Sequence, residues 1–450
     1  MSFVPDTLGA FRTVAETGFS MLTGGEQLAL TLSAESQDYV RFNGGLIRQI
    51  TGVSQRRLEG RLRRKQRLFS FSLDLEGPRE RDCETLRDLL NHARRACELL
   101  PEDPHDTPLE GSGTEEEVHA GTLPELRDLG QSLEQLGRAL DLTGFYAGGD
   151  QLRVAANSEG TFKSFATRSF FVDFSLYTRD AEDRPKSVKG LYAGRAYSRD
   201  DLMDALEASR QKLTPLKNPS RTIPPGTYRV YLEPAAVQAL VGMLSWGAVS
   251  YGALRRGESA FESLQRGERR LSPLFSLHED FHLGLTPRFN ESGESAPALI
   301  PIITEGQLQT LLVNRRTASE YGVASNAASR GETLRAASVA PGSLQVQQVL
   351  ESLGTGLYLS NLHYLNWSDR AEARVTGMTR HACFWVEDGE VVAPIRDLRF
   401  DDSLYGILGD RLEALTRTPI IIPETSSYEA RAFGGSRVPG MLVDGLRFTL

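Results

Sequence analysis

Metal-binding and disulfide-forming side chains are scarce in this sequence of 450 residues. It holds three cysteines, Cys83, Cys97 and Cys383, and seven histidines. Few, dispersed and odd-numbered cysteines exclude a disulfide framework and are typical of a reducing cytoplasm. Cys83 and Cys97 fall in one predicted helix, about 21 Å apart along its axis, so they cannot bind one metal ion within that helix.

Excess positive charge and long apolar runs are also missing. The formal net charge is −8 at pH 7, and the sequence pI is near 5.6. Non-specific binding to nucleic acid needs a basic surface that displaces phosphate counterions, so we expect no nucleic-acid partner. No stretch approaches the ~18 consecutive apolar residues of a membrane span. The first residues lack a basic segment followed by an apolar one, so we predict a cytoplasmic protein with no signal peptide and no membrane association.

Length and composition predict several domains of α+β structure. A chain this long exceeds one ordinary core, so two or three domains are expected. The sequence pattern favours an N-terminal α+β domain over residues 1–100, a middle α+β domain over residues 101–222 and a C-terminal, mostly antiparallel β domain over residues 223–450. The middle domain would begin with an acidic linker rich in proline and glycine, residues 101–123.

Two strand-rich blocks in the first half suggest a diverged internal repeat. Each contains two alternating stretches separated by a short turn, at Asn43-Gly44-Gly45 in the first block and at residues 157–160 in the second. A further turn is predicted at Gly148-Gly149-Asp150. His105 and His119 lie in the predicted linker between the blocks, and we expect both side chains to be in solvent.

The second half begins with a strand and one long apolar helix. The helix is predicted over residues 235–257, and its first four turns are apolar on nearly all sides, which indicates burial. From Leu271 onward the pattern changes to short strands and hairpins, for example around Glu305-Gly306 and Asp388-Gly389. These features predict a large antiparallel sheet or open barrel around one central buried helix.

The segment His278-Glu279-Asp280-Phe281-His282 spells the H-E-x-x-H pattern of zinc peptidases. On a helix, His278 and His282 would share one face and bind one ion, with Glu279 as the general base. On a strand, the two histidines would lie ~13 Å apart, too far to bind one ion together. An apolar stripe around the segment favours a helix, whereas Gly284 ends it quickly and no third ligand is evident. Both interpretations stay open on the residues alone.

Two polar, arginine-containing loops between predicted strands are candidates for contact with a peptide. Connecting loops carry binding residues in many proteins, because a rigid scaffold can position them without constraining their sequence. The candidate side chains are Asn326, Ser329 and Arg330 in the first loop and Ser368, Asp369 and Arg370 in the second.

Four segments resemble, in the same order, segments of the TldD/TldE (PmbA) family, whose members are also called modulators of DNA gyrase. The first half contributes YVRFNGGLIRQITGVSQRRLEGRL and VAANSEGTFKSFATRSFFVDFSL. The second half contributes PPGTYRVYLEPAAVQALVGMLSWGAVSYGAL and GLYLSNLHYLNWSDRAEARVTGMTRHACFWVEDGEVVAPI. The resemblance rests on the order and spacing of these segments along nearly the whole chain.

The resemblance implies a specific arrangement of metal ligands. TldD-like subunits carry H-E-x-x-x-H on the central helix and a cysteine ligand near the C-terminus, and they act as zinc peptidases. TldE-like subunits lack these ligands and pair with a TldD-like partner. In this sequence the helix motif falls on Ser245, Trp246 and Ser250, and the segment over residues 420–438 has no cysteine. The chain therefore resembles the TldE type, and we expect no zinc or other cofactor in this chain.

The sequence thus favours a non-catalytic subunit of a cytoplasmic zinc-peptidase complex that cleaves unfolded peptides or leader peptides. The expected partners are a TldD-like catalytic subunit, which would hold the zinc, and a peptide substrate; a homodimer is the other assembly. One alternative is a self-sufficient zinc peptidase that uses His278, Glu279 and His282. Another is a homodimeric scaffold that binds peptides or proteins without cleaving them.

Overall fold

The first half of the chain forms one large sheet with helices on one side. The structure, a computed structural model, describes residues 3–77, 79–137 and 140–449. The helices of this half are α1 (Phe3–Ser20), α2 (Arg79–Leu99), α3 (Leu126–Gly137), α4 (Arg199–Gln211) and α5 (Leu213–Leu216). Its strands are β1 (Gln27–Asn43), β2 (Leu46–Arg64), β3 (Arg67–Asp74), β4 (Gly113–His119), β5 (Asp141–Asn157), β6 (Thr161–Arg179) and β7 (Pro185–Gly194).

Two long hairpins form the centre of this sheet and support the predicted repeat. Strands β1 and β5 have 17 residues each, and β2 and β6 have 19 each. Each hairpin follows a helix and precedes a shorter strand and another helix. The sheet order is β3-β2-β1-β5-β6-β4, with β7 also paired to β6. Because β1 pairs with β5, one sheet spans the regions that the sequence assigned to two domains.

Strand β1 is buried on both faces. Leu28, Leu30 and Leu32 point toward the helices, where they join an apolar core with residues of α1 and α2. The alternate residues Glu35 and Gln37 face the C-terminal half and are also buried. Alternation along a strand sends successive side chains to opposite faces, so the N-terminal sheet forms a layer between its own helices and the C-terminal half.

Two local predictions in the first half are wrong. The segment predicted as a linker contains β4, which pairs in parallel with β6. Its acidic residues suggested a solvated linker, but Glu115 forms ion pairs with Lys163 and Arg288. The predicted turn at residues 148–150 lies inside β5. A Cβ atom at Gly149 would lie 2.0 Å from the Ser36 carbonyl oxygen, so this glycine allows close strand approach rather than a turn.

The described residues of the second half form five helices and most of the strands. The helices are α6 (Pro234–Leu244), α7 (Tyr251–Arg255), α8 (Glu262–Gln265), α9 (Arg315–Tyr321) and α10 (Val349–Leu353). The strands are β8 (Gly226–Leu232), β9 (Leu277–Asp280), β10 (Leu299–Thr304), β11 (Gln307–Leu308), β12 (Ala336–Val339), β13 (Gly356–Leu359), β14 (Asn361–Asp369), β15 (Arg374–Arg380), β16 (Phe384–Glu387), β17 (Glu390–Pro394), β18 (Arg399–Ser403), β19 (Leu412–Leu415), β20 (Ile420–Pro423), β21 (Gly435–Val438) and β22 (Met441–Phe448). The short helical turns are Phe281–Leu283, Val346–Gln348 and Gly406–Asp410.

These strands divide between two sheets that share one core. Nine strands form the order β14-β15-β18-β22-β8-β13-β16-β17, with β19 paired to β22. Six form the order β11-β10-β9-β12-β21-β20. Most pairs are antiparallel, but β8 with β13 and β12 with β21 are parallel. The α+β class is confirmed, and the C-terminal strands form two sheets instead of a single sheet or barrel.

Helix α6 packs against strands of both C-terminal sheets, but it is shorter than the predicted helix. It ends at Leu244, and α7 begins only at Tyr251. Gly247 between them has φ of 98°, a left-handed value that interrupts a helix. Ser250 is the N-cap of α7, where its hydroxyl oxygen accepts a hydrogen bond from the Ala253 amide at 3.0 Å. The prediction of one continuous helix over residues 235–257 is therefore wrong.

No helix among the described residues is long and apolar enough to cross a membrane.

Candidate functional site

An open cavity of about 660 Å³ lies between α6 and the two C-terminal sheets. Helix α6 forms one wall, the edge strand β14 a second, and the ends of β12 and β21 a third. The side chains on these walls include Gln238 and Met243 from α6, Leu362 and Leu365 from β14, Ala337 from β12 and Ser436 from β21. We refer to this space as the central cavity.

The central cavity brings together two distant segments to which the resemblance assigned metal ligands. Ser245 and Trp246, just after α6, lie on its wall. The segment over residues 420–438 contributes Glu424 and Phe433 as well as Ser436. Ser250, the third position of the helix motif, is absent from the lining and donates a hydrogen bond to the buried Glu332 at 2.5 Å.

Ser245 and Trp246 hold neighbouring loops in place. The Ser245 hydroxyl oxygen accepts a hydrogen bond from the Leu334 amide at 3.1 Å. The indole N–H of Trp367 donates to the Trp246 carbonyl oxygen at 3.1 Å. The Trp246 side chain itself is more than half exposed. At these two positions the chain therefore offers a hydroxyl group and an apolar ring, and neither is a usual zinc ligand.

The donor groups around the central cavity do not fit zinc. Zinc sites in proteins use three or four ligands drawn from Cys, His, Asp and Glu. Only His363 and Glu424 among the cavity's lining residues belong to these types. The Nδ1 atom of His363 lies 3.3 Å from a guanidinium nitrogen of Arg380, and burial together with this positive charge lowers the pKa of His363. Across the described ranges, no group of three such side chains could hold a metal ion.

The H-E-x-x-H segment has an extended conformation, followed by a short 3-10 turn. His278 lies on β9, paired with Pro301 and Ser338, whereas His282 lies in the turn Phe281–Leu283. The His282 side chain is 68% exposed, and its Nδ1 atom is 2.9 Å from Asp280. Because the two histidines do not share a helix face, the segment lacks the geometry of a zinc-peptidase motif.

Glu279 is a buried structural carboxylate beneath the central cavity. It pairs in register with Ala337, which in turn pairs with Ser436, so all three side chains occupy one face of the sheet. One Glu279 carboxylate oxygen accepts hydrogen bonds from the amides of Arg335 at 2.8 Å and Ala336 at 3.2 Å. Burial raises the pKa of Glu279 to about 7, although the Arg335 charge opposes this shift.

Arg335 connects the floor of the central cavity to the surrounding loops. Its guanidinium group donates to the carbonyl oxygens of Pro287 at 3.3 Å and Phe289 at 3.1 Å and lies 4.7 Å from the ring centre of Phe281. Its Nε atom is 3.8 Å from Glu279. No local sequence pattern distinguishes this arginine from the other arginines of the chain.

The two candidate loops lie in different places, and neither candidate set lines the central cavity. The Asn326 side chain accepts from the Val313 amide at 2.9 Å and donates to the Leu311 carbonyl at 2.8 Å, so it fixes its own loop. Ser329 accepts weakly from the Thr333 amide at 3.4 Å. Arg330 lines a second cavity between the two halves of the chain.

The second candidate loop lies at the end of β14. Ser368 and Asp369 are its last two residues, and Arg370 follows in the turn toward β15. The Asp369 carboxylate accepts from the Glu372 amide at 3.3 Å and thereby shapes this turn. All three side chains are exposed.

Solved structures of other proteins share this fold over nearly the whole chain. A modulator-of-DNA-gyrase protein from Thermotoga maritima aligns over 98% of this chain and 100% of its own, with a TM-score of 0.78 and 15% identity. TldE from Thermococcus kodakarensis also aligns over 98% of this chain and 100% of its own, with a TM-score of 0.78 and 13% identity. A modulator-of-DNA-gyrase protein from Bacteroides thetaiotaomicron covers 98% of both chains, with a TM-score of 0.74 and 15% identity.

Sequence comparison gives the family of the chain. No curated protein matches the sequence. The family model described as the PmbA/TldA metallopeptidase C-terminal domain matches residues 225–450, which contain the central cavity, Ser245 and Trp246, and the segment over residues 420–438. The chain therefore belongs to the PmbA/TldD metallopeptidase family.

Proposed function

We propose that this chain is a non-catalytic, TldE-like subunit of a cytoplasmic zinc-peptidase complex. A TldD-like partner would hold the zinc ion and activate water, while this chain would bind part of an unfolded peptide or leader peptide. The observation that carries the proposal is the composition of the central cavity. Ser245, Trp246 and the cysteine-free segment over residues 420–438 meet there, and the cavity lining has only His363 and Glu424 as candidate zinc ligands.

The sheet edge next to Glu424 of the central cavity suits an extended peptide. Strand β20 lies at the end of its sheet and pairs only with β21 within the described chain. Its residues Ile420 and Ile421 are about half exposed. An open strand edge can bind a peptide through backbone hydrogen bonds, which tolerate varied sequences, while neighbouring apolar surface contacts its side chains. Such binding requires no catalytic group in this chain.

Zinc content and peptidase activity together test the proposal. The chain is purified alone and after co-expression with a TldD-like subunit, and zinc is measured by elemental analysis. We expect fewer than about 0.1 zinc ions per molecule of the isolated chain and about one zinc ion per heterodimer. A zinc ion is not retained where no ligands bind it. Hydrolysis of an unfolded protein such as casein should appear only in the co-expressed sample.

Two variants separate this proposal from a self-sufficient peptidase. His278→Ala removes a residue of the H-E-x-x-H segment, and His92→Ala, on the exposed side of α2, is its matched control. Both variants should leave zinc content and activity of the complex unchanged. About one zinc per chain in the isolated protein, lost only in His278→Ala, would overturn the non-catalytic assignment. A stable homodimer that does not bind the TldD-like subunit would instead favour the alternative of a homodimeric scaffold that binds peptides or proteins without cleaving them.

A further inference from the structure

A second cavity, of about 310 Å³, lies between the N-terminal sheet and the C-terminal half. Strands β2 and β3 and the segment over residues 103–109 form its N-terminal side. The turn at residues 290–292, the start of α9 and the loop at residues 328–330 form its C-terminal side. We refer to this space as the arginine cavity, because five arginines line it.

Three of these arginines are already neutralised. Arg63 lies 2.5 Å from Asp106. Arg316 forms an ion pair with Asp103. Arg315 lies 3.4 Å from Glu294 and also pairs with Glu110. These pairs fix the walls of the cavity, and their charges are not available to a ligand.

The other two arginines, Arg61 and Arg330, have no carboxylate within ion-pair distance anywhere in the described chain. Glu291 is the remaining carboxylate of the lining, and one of its oxygens accepts a hydrogen bond from the Arg330 amide at 3.3 Å. Glu59, on the same strand as Arg61, lies outside the lining, although its negative charge and that of Glu291 favour the charged form of Arg61. Burial, and then the positive charge of Arg330, lowers the pKa of Arg61, so the two guanidinium groups repel each other.

The guanidinium groups of Arg61 and Arg330 suit one added carboxylate. Neither side chain forms an ion pair within the described chain, so their N–H donors can bind an anion. A guanidinium group presents paired N–H donors that match the two oxygens of a carboxylate. Leu68 and Leu109 supply apolar surface beside the arginines, which suits the methylene groups of an aspartate or glutamate side chain.

The loop that carries Arg330 also reaches the central cavity. Thr333 and Arg335 of this loop line the central cavity, whereas Ala328 and Arg330 line the arginine cavity. The Asn290 side-chain amide donates to the Ala328 carbonyl at 3.2 Å and fixes the loop between the two spaces. Three residues of chain span at most about 11 Å, so an extended peptide of four or five residues is long enough to reach both.

We propose that the arginine cavity binds an acidic side chain of the peptide that occupies the central cavity. Arg61 and Arg330 would bind its carboxylate and make this subunit selective for peptides with an aspartate or glutamate a few residues from the segment held centrally. This inference rests on the proposed peptide-binding function.

An aspartate scan tests the selectivity. Fluorescein-labelled twelve-residue peptides of Ala, Ser, Leu and Thr carry one Asp at successive positions, and each has an Asn counterpart. Binding to the co-expressed complex is measured by fluorescence anisotropy. We expect Asp at one or two positions to lower the Kd about tenfold relative to Asn, as one charge-assisted contact would. Equal Kd values for every Asp and Asn pair would overturn the inference and leave the proposed function standing.

Variants of the arginines locate the selectivity. Arg330→Gln and Arg61→Gln should each remove most of the preference for Asp, whereas Arg95→Gln, on the exposed side of α2, should retain it. The Arg330→Glu variant should bind more tightly to a peptide that has Lys instead of Asp at the preferred position. A misfolded protein would not gain this preference. An aspartate preference that survives both glutamine variants would place the acidic subsite elsewhere. If no peptide binds, the proposed function fails as well.

Discussion

Glu279 has a role in this protein that its sequence context does not indicate. It belongs to an H-E-x-x-H pattern, in which the glutamate would be a solvent-accessible general base. In the folded chain it is 1% exposed, and its carboxylate fixes the backbone where β12 begins. Its second carboxylate oxygen has no hydrogen-bond partner among the described residues. A partly satisfied buried carboxyl group favours the protonated state.

The first prediction concerns the pH dependence of stability. Burial raises the pKa of Glu279 from 4.5 to about 7 in the folded state. Between these pH values the folded protein retains a proton that the unfolded chain releases, so the free energy of unfolding falls as the pH rises. The decrease in the free energy of unfolding reaches about 3 kcal/mol, because a difference of one pKa unit corresponds to about 1.36 kcal/mol. The Glu279→Gln variant should not show this decrease in the free energy of unfolding as the pH rises.

Urea unfolding at pH 5 and pH 8 measures the effect. The fall in the free energy of unfolding between the two pH values should be smaller in Glu279→Gln than in the unchanged protein. Glu16→Gln, an exposed position on α1, makes the same chemical change without removing a buried group, and its pH dependence should match the unchanged protein. The same decline in all three proteins would contradict the assigned pKa shift.

At the scale of elements, the interruption between α6 and α7 decides which side chains reach the central cavity. Ser245 and Trp246 follow α6, whereas Ser250 begins α7 and bonds to Glu332. Glu332 also accepts hydrogen bonds from the amides of Gly252 and Asn314, each at 2.9 Å. The contacts of Ser250 and Gly252 with Glu332 join residues about 80 positions apart, and they oppose a continuous helix through residues 245–250.

The second prediction restores the family motif on this interrupted helix. The triple variant Ser245→His, Trp246→Glu, Ser250→His recreates H-E-x-x-x-H, yet its residues lie on both sides of the interruption. We expect zinc to stay below about 0.1 per chain, because the ligands do not share one helix face. Loss of the Ser250 cap should also lower the free energy of unfolding by about 1–2 kcal/mol.

Elemental analysis of the purified variants provides the measurement. The double variant Ser245→His, Trp246→Glu keeps the cap and serves as the control, and its unfolding midpoint should fall less than that of the triple variant. About one zinc per chain in the triple variant would mean that the segment had refolded into a single helix.

At the scale of the whole molecule, the segment over residues 424–434 crosses from the C-terminal half to the N-terminal sheet. Arg431 anchors it: its guanidinium group donates to the Ser169 carbonyl at 2.7 Å and to Gln37 at 3.2 Å. The Arg431 amide donates to Glu35 at 2.8 Å. Burial lowers the pKa of Arg431 to about 10. The segment then returns to β21 and forms part of the central-cavity wall.

The third prediction tests this anchor. Arg431→Ala leaves the half-buried Ser169 carbonyl oxygen and the buried Gln37 side chain without this donor, so the free energy of unfolding should fall by about 2 kcal/mol. The segment should also become more sensitive to limited proteolysis, since its exposed residues near Tyr428 would lose their attachment.

Urea unfolding and timed digestion, analysed by mass spectrometry, check the result. Arg417→Ala removes an exposed arginine of the same half and should change neither property. Unchanged stability and cleavage in Arg431→Ala would show that the apolar contacts between the halves suffice without this arginine.

Local pattern in the sequence determined much of the architecture. Alternating residues in β1 and in the hairpin β5–β6 indicated strands, and the turns after Asn43 and Asn157 lie where the sequence placed them. The α+β class, the buried helix before Leu244 and the family resemblance also followed from residues close in sequence. Such features depend on periodicity and turn chemistry, which neighbouring residues carry.

Only the tertiary structure decided where the helix is interrupted, that Glu279 is buried and that the segment over residues 420–438 meets Ser245 and Trp246. It also placed β4 on a sheet and turned Arg61 and Arg330 toward one cavity. Each of these outcomes depends on a contact between residues far apart in the chain, such as Ser250 with Glu332 or Arg431 with Glu35. Burial and charge pairing at such contacts outweigh local propensity, and no pattern among neighbouring residues encodes them.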